Sequence, residues 1–254
     1  MLSFRQNMLF ILLLWAAALP AHAQLSRLSM AHDAYWDAAF GHNTWQHADI
    51  GFVVVKHTQT LHIMLLDGSR DTVASFPVCA MGLTPGFKVR EGDGRTPEGI
   101  YHISLLNPAS SYHLSMKINY PNRIDDERHA RHSEAVGERW SQGGDIFIHG
   151  KCASVGCIAM TDDVIEKLYL LVASRSRGQR DIPVLILPSD DEAAYQQMFF
   201  HADEQHEETG KIYWLLLREH IENMRDLWRY IRDTGNMPPP VATSTGRYRL
   251  PRAE

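Results

Sequence analysis

The sequence predicts a mainly β domain followed by an α-helical extension. Two observations support this: short apolar segments separated by turns up to residue 188, and one long segment with helical spacing, Lys211–Thr234. Short apolar segments bounded by Gly, Pro and Asn are typical of strands, whereas apolar residues three and four apart form one face of a helix. We therefore expect the β domain over residues 50–188 and the helical extension with its tail over residues 189–254.

The predicted strands follow one another closely in the first part of this domain. Phe52–Lys56 and Leu61–Leu65 flank the polar turn His57–Thr60 and should pair as a hairpin. Further strands are expected at Ala74–Met81, Ile100–Leu105, Ile146–His149 and Ile182–Leu187. Residues 107–144 are mostly polar, and we expect them to form loops, since loops of this length are usually lids or binding loops.

The predicted helices lie after residue 160. Thr161, followed by Asp162 and Asp163, is a favourable helix start, and this helix should run to about Ala173. Asp190–Glu208 is acidic and predicted to be helical in part. The next helix carries an apolar face made of Trp214, Leu217, Ile221, Met224, Trp228 and Ile231. This face either packs on the β domain, or it docks a partner or shapes a substrate groove.

The N-terminus has the pattern of a secretory signal peptide. Arg5 precedes an uninterrupted apolar run, Met8–Leu19, and a small-x-small cleavage pattern ends at Ala23. We expect cleavage after Ala23, a lead-in segment over residues 24–49, and an exported mature chain without a transmembrane segment. A retained membrane anchor is the alternative, although the apolar run is shorter than a bilayer-spanning helix requires.

Charge and cysteine content narrow the class of protein. The net charge is −5, and removal of residues 1–23, which hold one charged residue, leaves −6. This mild acidity excludes nucleic acid as an expected partner, because no basic surface is available to neutralise phosphates. The three cysteines allow two interpretations. Either Cys79 and Cys152 form a disulfide and Cys157 is free, or all three are reduced and buried.

His149 and Cys157 form the candidate catalytic pair. A predicted strand ends at His149, and a loop of small residues leads to Cys157 eight positions later. A thiol attacks as the thiolate, so it needs a base that takes its proton and later returns it to a leaving amine. Small residues in this loop, namely Gly150, Ser154 and Gly156, are candidate oxyanion or substrate contacts, because they let backbone N–H groups approach a carbonyl. Ser154 could equally serve only to hydrogen-bond the loop.

Several motifs occur in the order found in a known enzyme family. Ile148-His149-Gly150 with Ser154-Val155-Gly156-Cys157-Ile158 resembles the active-site signature of YkuD-type L,D-transpeptidases. Thr96-Pro97-Glu98-Gly99 and the hairpin that opens at Gly51 resemble the same family. Tyr120-Pro121-Asn122 and Ala159-Met160-Thr161-Asp162 are similar to its YafK/DpaA branch.

The resemblance implies a fold, a reaction and a partner. The fold would be a β-sandwich-like catalytic domain with one or two packed helices. Cys157 would be the nucleophile and His149 the proton acceptor and donor, acting without a cofactor or a metal. The substrate would be a peptidoglycan stem peptide, attacked at the meso-diaminopimelate carbonyl to give a thioester. The thioester would then react with one of three acceptors: water, a second diaminopimelate amine or a lysine of an outer-membrane lipoprotein. The reaction would take place in the periplasm.

One departure from the family pattern bears on the outcome. Much of the wider family has a histidine directly before Gly-Cys, where this chain has Val155. Valine cannot donate a hydrogen bond, so the departure favours hydrolysis, including release of lipoprotein from peptidoglycan, over ordinary cross-linking.

Other classes of function stay open at this stage. A sortase-like or papain-like peptidase is disfavoured by the short spacing between His149 and Cys157. A non-catalytic module that binds peptidoglycan or lipoprotein would use the apolar face of the C-terminal helix. His129 and His132 lie three apart near acidic residues, but we interpret that segment as a solvated charged loop and expect no metal site.

Overall fold

The structure, a computed structural model, describes residues 32–41, 45–175, 182–209, 211–241 and 243–251. The predicted signal peptide, residues 1–23, lies outside the described residues. The chain divides into two compact units, one ending at Trp45 and the other beginning at Gln46. In the first, residues 32–40 are helical, and Trp45 Nε1 donates a hydrogen bond to Asp37 Oδ1 at 3.0 Å.

The second unit is built on one sheet of eight strands. The strands are β1 (Ile50–Val55), β2 (Thr60–Leu65), β3 (Thr72–Pro77), β4 (Gly99–Asn107), β5 (Ser115–Ile118), β6 (Phe147–His149), β7 (Ile158–Ala159) and β8 (Pro183–Leu187). Their order in the sheet is β3-β2-β1-β8-β4-β5-β6-β7. The predicted hairpin is present as β1 and β2, and β1 also pairs in parallel with β8. All six residues of β1 are buried, as expected for a strand in the middle of a sheet.

The sheet curls until its two edges meet. Ala80, which follows β3 at one edge, forms a bridge with Ala159 of β7 at the other edge. The N–H of Cys79 also donates to the carbonyl of Ala159 at 2.8 Å. A disulfide between Cys79 and Cys152 crosses the same junction, so the first of the two cysteine interpretations is the one observed, and Cys157 is free.

Two helices pack on this sheet. They are α1 (Arg123–Val136) and α2 (Asp162–Arg175). The predicted start of α2 is confirmed, since Thr161 Oγ1 accepts a hydrogen bond from the N–H of Val164 at 3.3 Å. The expectation that residues 107–144 form mostly loops is wrong, because this range contains both β5 and α1.

The helical extension consists of α3 (Glu192–Thr209) and α4 (Ile212–Thr234). The predicted apolar face of α4 packs on the sheet: Leu217, Ile221, Met224 and Ile231 are buried in one core with strand residues such as Val53 and Leu185, and Trp214 and Trp228 pack partly buried against it. The fold class predicted from sequence is therefore confirmed. Of the helices in the described ranges, none combines the length and hydropathy needed to cross a bilayer.

A buried polar cluster joins the extension to the sheet. Lys56 Nζ, just after β1, donates to Glu98 Oε1 at 2.8 Å, and His220 of α4 donates from Nε2 to Glu98 Oε2 at 2.8 Å. All three side chains are almost completely buried. Burial lowers the pKa of His220 to about 4, so this imidazole is neutral at physiological pH. Glu98 and Lys56 are the charged partners within this cluster.

Candidate active site

His149 is fixed by the strands on both sides of β6. Its register partners are Ser115 of β5 and Ala159 of β7. Strand alternation sends Ile148 into the core, where it is fully buried, and places Phe147 and His149 together on the opposite face. Because the residue lies within a paired strand, the position of the imidazole is set by the sheet rather than by a loop.

A backbone carbonyl selects the tautomer of His149. Its Nδ1 lies 2.7 Å from the carbonyl oxygen of Gly150. A carbonyl oxygen only accepts, so Nδ1 carries the hydrogen and Nε2 of the neutral ring has a free lone pair. Burial lowers the pKa of His149, although the bond to Gly150 opposes this effect. The imidazole is therefore a neutral base at physiological pH.

The loop between His149 and Cys157 is held by its own hydrogen bonds. Ser154 Oγ donates to the carbonyl of Cys157 at 2.7 Å and accepts from the N–H of Gly156 at 3.0 Å. Gly156 has a φ of +114°, a backbone conformation that favours glycine. Its carbonyl accepts from Thr96 Oγ1 at 2.9 Å, which ties the loop to the Thr96–Gly99 motif.

Cys157 is partly buried and rests in its protonated form. Its Sγ lies 3.6 Å from the carbonyl oxygen of Asp145, which accepts from the thiol. Burial raises the pKa of Cys157, and the backbone N–H of Phe147 opposes this effect only in part. The directions of the two pKa shifts thus favour a neutral thiol beside the neutral imidazole of His149.

His149 and Cys157 line one open cavity. Its volume is about 660 Å3. The lining residues are Asn107, Ala109, Ser110, Ser111, Tyr112, Ser115, Asp145, Phe147, His149, Ala153, Ser154, Val155 and Cys157. The ring of Tyr112 lies 4.6 Å from the imidazole of His149, measured between centroids, and forms one wall. This volume is in the range of small-molecule and peptide-side-chain pockets.

The structure brings together some of the residues singled out from sequence. Cys157, His149 and Ser154 line the cavity, whereas Gly150 and Gly156 do not. The N–H of Gly150 donates to the carbonyls of Tyr112 and Leu114, and the N–H of Gly156 donates to Ser154 Oγ. Both amides are thus engaged within the protein.

Tyr112, Asp145 and Phe147 are among the cavity residues that sequence reasoning missed. For Phe147 a signal was present, because it stands two positions before His149 and the period of a strand places both on the same face. Asp145 precedes the strand, and its left-handed backbone, with a φ of +54°, takes it outside this period. Tyr112 comes from the segment between β4 and β5, and no sequence pattern connects it to His149 or Cys157.

The histidines of α1 have protein partners. His129 Nε2 lies 2.9 Å from the carbonyl of Trp140, and His132 packs edge-on against Phe87 at 5.7 Å between ring centroids. Within the part of the chain that the structure describes, no group of three or more His, Cys, Asp or Glu residues is arranged to hold a metal ion.

Alkylation of Cys157 tests the protonation state of the pair. We expect the pH–rate profile for iodoacetamide to have a midpoint above that of the same thiol in the unfolded chain, because burial disfavours the thiolate. Mass spectrometry of the labelled peptide gives the rate, with the urea-unfolded, disulfide-intact chain as the control. A midpoint below about pH 7 would instead show a preformed thiolate–imidazolium pair.

A free thiol and an imidazole whose tautomer is fixed by a carbonyl thus lie on the wall of one cavity. The sequence profile of the YkuD family, described as the L,D-transpeptidase catalytic domain, matches residues 50–186. The chain therefore belongs to the YkuD L,D-transpeptidase family.

Individual relatives agree with this assignment. YafK of Escherichia coli (strain K12), named provisionally as an L,D-transpeptidase, is 27% identical over 205 residues, which cover 77% of this chain and 71% of YafK.

Solved structures also show similarity. Bd1075 of Bdellovibrio bacteriovorus matches with 23% identity and a TM-score of 0.38, over 58% of this chain and 50% of its own. This chain thus spans half the length of that protein. The helical cell shape determining protein Pgp2 from Campylobacter jejuni matches with 17% identity and a TM-score of 0.40, over 77% of this chain and 78% of its own.

Proposed function

We propose that this protein is a periplasmic cysteine enzyme that acts on peptidoglycan stem peptides through a thioester at Cys157. The observation that carries the proposal is the hydrogen bond from His149 Nδ1 to the Gly150 carbonyl, which leaves Nε2 as a base in the cavity that Cys157 lines. Membership of the L,D-transpeptidase family supports the substrate class, and a signal peptide cut after Ala23 accounts for the location.

The reaction follows from the protonation states. As Sγ of Cys157 attacks the meso-diaminopimelate carbonyl, its proton passes to Nε2 of His149, and the carbonyl oxygen becomes an oxyanion. Collapse of this intermediate breaks the C–N bond, the amine leaves with the proton from His149, and the thioester remains. In the second half, His149 takes a proton from the acceptor, which attacks the thioester and releases Cys157 with that proton restored.

The oxyanion needs a donor that is not used elsewhere. The amides of Gly150 and Gly156 already donate within the protein. Among the described residues, no hydrogen bond is donated by the N–H of Cys157 itself. We assign this N–H the oxyanion role, with Ser154 and Gly156 holding the loop that presents it and Gly150 orienting the base.

Val155 supports water as the acceptor. This residue is 86% exposed, lines the cavity and stands two positions before Cys157 in the loop. An apolar side chain offers no hydrogen bond to an incoming amine, whereas water needs only the base. The proposed outcome is hydrolysis of the link between peptidoglycan and an outer-membrane lipoprotein, and the formation or rearrangement of L,D cross-links is the second outcome.

The test uses residues 24–254 and their Cys157→Ala variant on purified sacculi that carry covalently bound lipoprotein. We expect only the wild-type protein to release lipoprotein and leave tripeptide ends, read by mass spectrometry. New 3–3 dimers or new lipoprotein attachment would contradict the hydrolytic assignment and show a transpeptidase. If a Cys157→Ala variant with native circular dichroism matches the wild type, the thioester mechanism is excluded and a binding module becomes the better description.

A further inference from the structure

The cavity wall beside Cys157 is formed in part by β6 and the residue before it. His149 and Phe147 lie on one face of β6, and Asp145, two residues before the strand begins, lines the same cavity. The backbone oxygen of Asp145 lies 3.6 Å from Cys157 Sγ, so the carboxylate of this residue lies at most one side-chain length beyond that contact. A substrate bound to Cys157 therefore has an aromatic ring and then a carboxylate along one wall.

A lysine lies next to both Phe147 and Asp145. Lys117 of β5 is the register partner of Phe147, and its Nζ lies 5.9 Å from the centroid of the Phe147 ring. The same Nζ lies 2.6 Å from Asp145 Oδ1, with side-chain exposures of 33% for Lys117 and 80% for Asp145. This ion pair is therefore accessible to solvent, and it lies at the margin of the cavity, because Asp145 lines the cavity and Lys117 does not.

We propose that Lys117 and Asp145 bind the free zwitterionic end of the meso-diaminopimelate side chain, with Phe147 beneath its methylenes; this inference rests on the proposed function. The side chain of diaminopimelate has three methylenes and then a carbon bearing both an ammonium and a carboxylate. The ammonium would pair with Asp145 and the carboxylate with Lys117. The apolar ring lies where the methylenes must pass between the thioester and this end.

The two protein charges satisfy each other when no substrate is bound. Exposed ion pairs are weak, so exchanging the mutual contact for two contacts with a zwitterion costs little. The ligand supplies both charges at fixed spacing on one carbon, which a lysine side chain does not, because it lacks the carboxylate. The pair thus discriminates between stem peptides that differ only at the end of residue three.

The experiment compares three synthetic stem peptides with meso-diaminopimelate, its side-chain amide or lysine at the third position. Acylation of Cys157 is followed by mass spectrometry to give kcat/KM. We expect wild-type protein to favour the free diaminopimelate peptide by about tenfold or more, since a charge-assisted hydrogen bond is lost in the other two. Lys117→Met should lower kcat/KM by a similar factor on the free peptide, and by less on the amide and on lysine.

Asp145→Asn should instead lower kcat/KM on all three peptides, because each carries the ammonium. Asparagine tolerates the left-handed backbone of this residue, whose φ is +54°. The matched control is Asp203→Asn, which makes the same change in an ion pair of the helical extension. Asp203 Oδ1 lies 2.7 Å from Arg218 Nε, and neither residue lines the cavity. We expect it to leave kcat/KM unchanged on every peptide.

A second readout separates substrate binding from an electrostatic effect on the thiol. Burial and, to a smaller extent, the Asp145 carboxylate raise the pKa of Cys157. Asp145→Asn should therefore speed iodoacetamide labelling while it slows acylation by the peptides. Changes of the same sign in both rates would overturn the inference.

The two proposals fail in different ways. If wild-type protein acylates all three peptides equally, or both variants match it on the free peptide, the subsite is wrong and the thioester mechanism stands. If no peptide acylates Cys157, both are wrong.

Discussion

Replacement of His149 by asparagine is expected to slow acylation of Cys157 by about 10²- to 10⁴-fold, the usual contribution of a positioned general base. The asparagine amide keeps a donor for the Gly150 carbonyl, so the local backbone should be retained. It lacks the second nitrogen, which leaves the protonated thiol without an acceptor for its proton. Single-turnover mass spectrometry of the acyl-enzyme gives the rate directly.

His113→Asn is the matched control for this variant. His113 lies on the segment before β5 and pairs from Nε2 with Glu166 Oε1 at 2.7 Å, and it does not line the cavity. The same chemical change there should leave the acylation rate close to that of the wild type. If His149→Asn keeps more than about a tenth of the wild-type rate, another group serves as the base.

Replacement of Glu98 by alanine should cost about 3–5 kcal/mol of unfolding free energy, because it leaves a buried charge without its partner. Glu98 Oε1 accepts from Lys56 and from the N–H of Gly86 at 2.9 Å, and Oε2 accepts from His220. All these donors lie in the interior, where water cannot replace the carboxylate. Urea unfolding followed by circular dichroism measures the change.

Two further variants test the cause of this loss. Glu134→Ala, at an exposed position of α1, should stay within about 0.5 kcal/mol of the wild type. Lys56→Met combined with Glu98→Leu should be more stable than Glu98→Ala, because no buried charge is left unpaired. A loss below about 1 kcal/mol for Glu98→Ala would show that the cluster contributes little.

The strands, and the proximity of His149 and Cys157, were predictable because their signals are local. Alternating or continuous apolar segments bounded by turns correspond to β1, β2 and β8, and the six apolar positions of α4 share one face. The strand that ends at His149 and the small residues before Cys157 indicated a base and a nucleophile near each other. The structure places both on one cavity.

Helix α1 was not predicted from the sequence, because the residues that it buries are mostly polar. Of its five buried residues, Ile124 is apolar, whereas Asp125, Arg128, His132 and Ser133 are polar. A helix buried through polar contacts has no hydrophobic period to detect. Its start did leave a signal, since Asn122 and Asp125 form a reciprocal capping box that is readable as Asn-x-x-Asp.

The role of the Thr96–Gly99 motif depends on contacts distant in sequence. Thr96 accepts a hydrogen bond from the N–H of Gly82 at 2.8 Å and donates to the carbonyl of Gly156. Glu98 reaches Lys56 and His220. The motif therefore links the loop between His149 and Cys157 to the helical extension, and no pattern within four residues could reveal partners so far along the chain.

The disulfide makes the conformation of the loop between His149 and Cys157 depend on the redox state of the compartment. Cys152 lies between His149 and Cys157, and both Cys79 and Cys152 are exposed where the edges of the sheet meet. Such a bond forms in oxidising compartments and is kept reduced in the cytosol. Under the proposed export to the periplasm, a newly made chain would lack this covalent clamp on the loop between His149 and Cys157 until it has left the cytosol. Synthesis of the chain and closure of the clamp would then take place in different compartments.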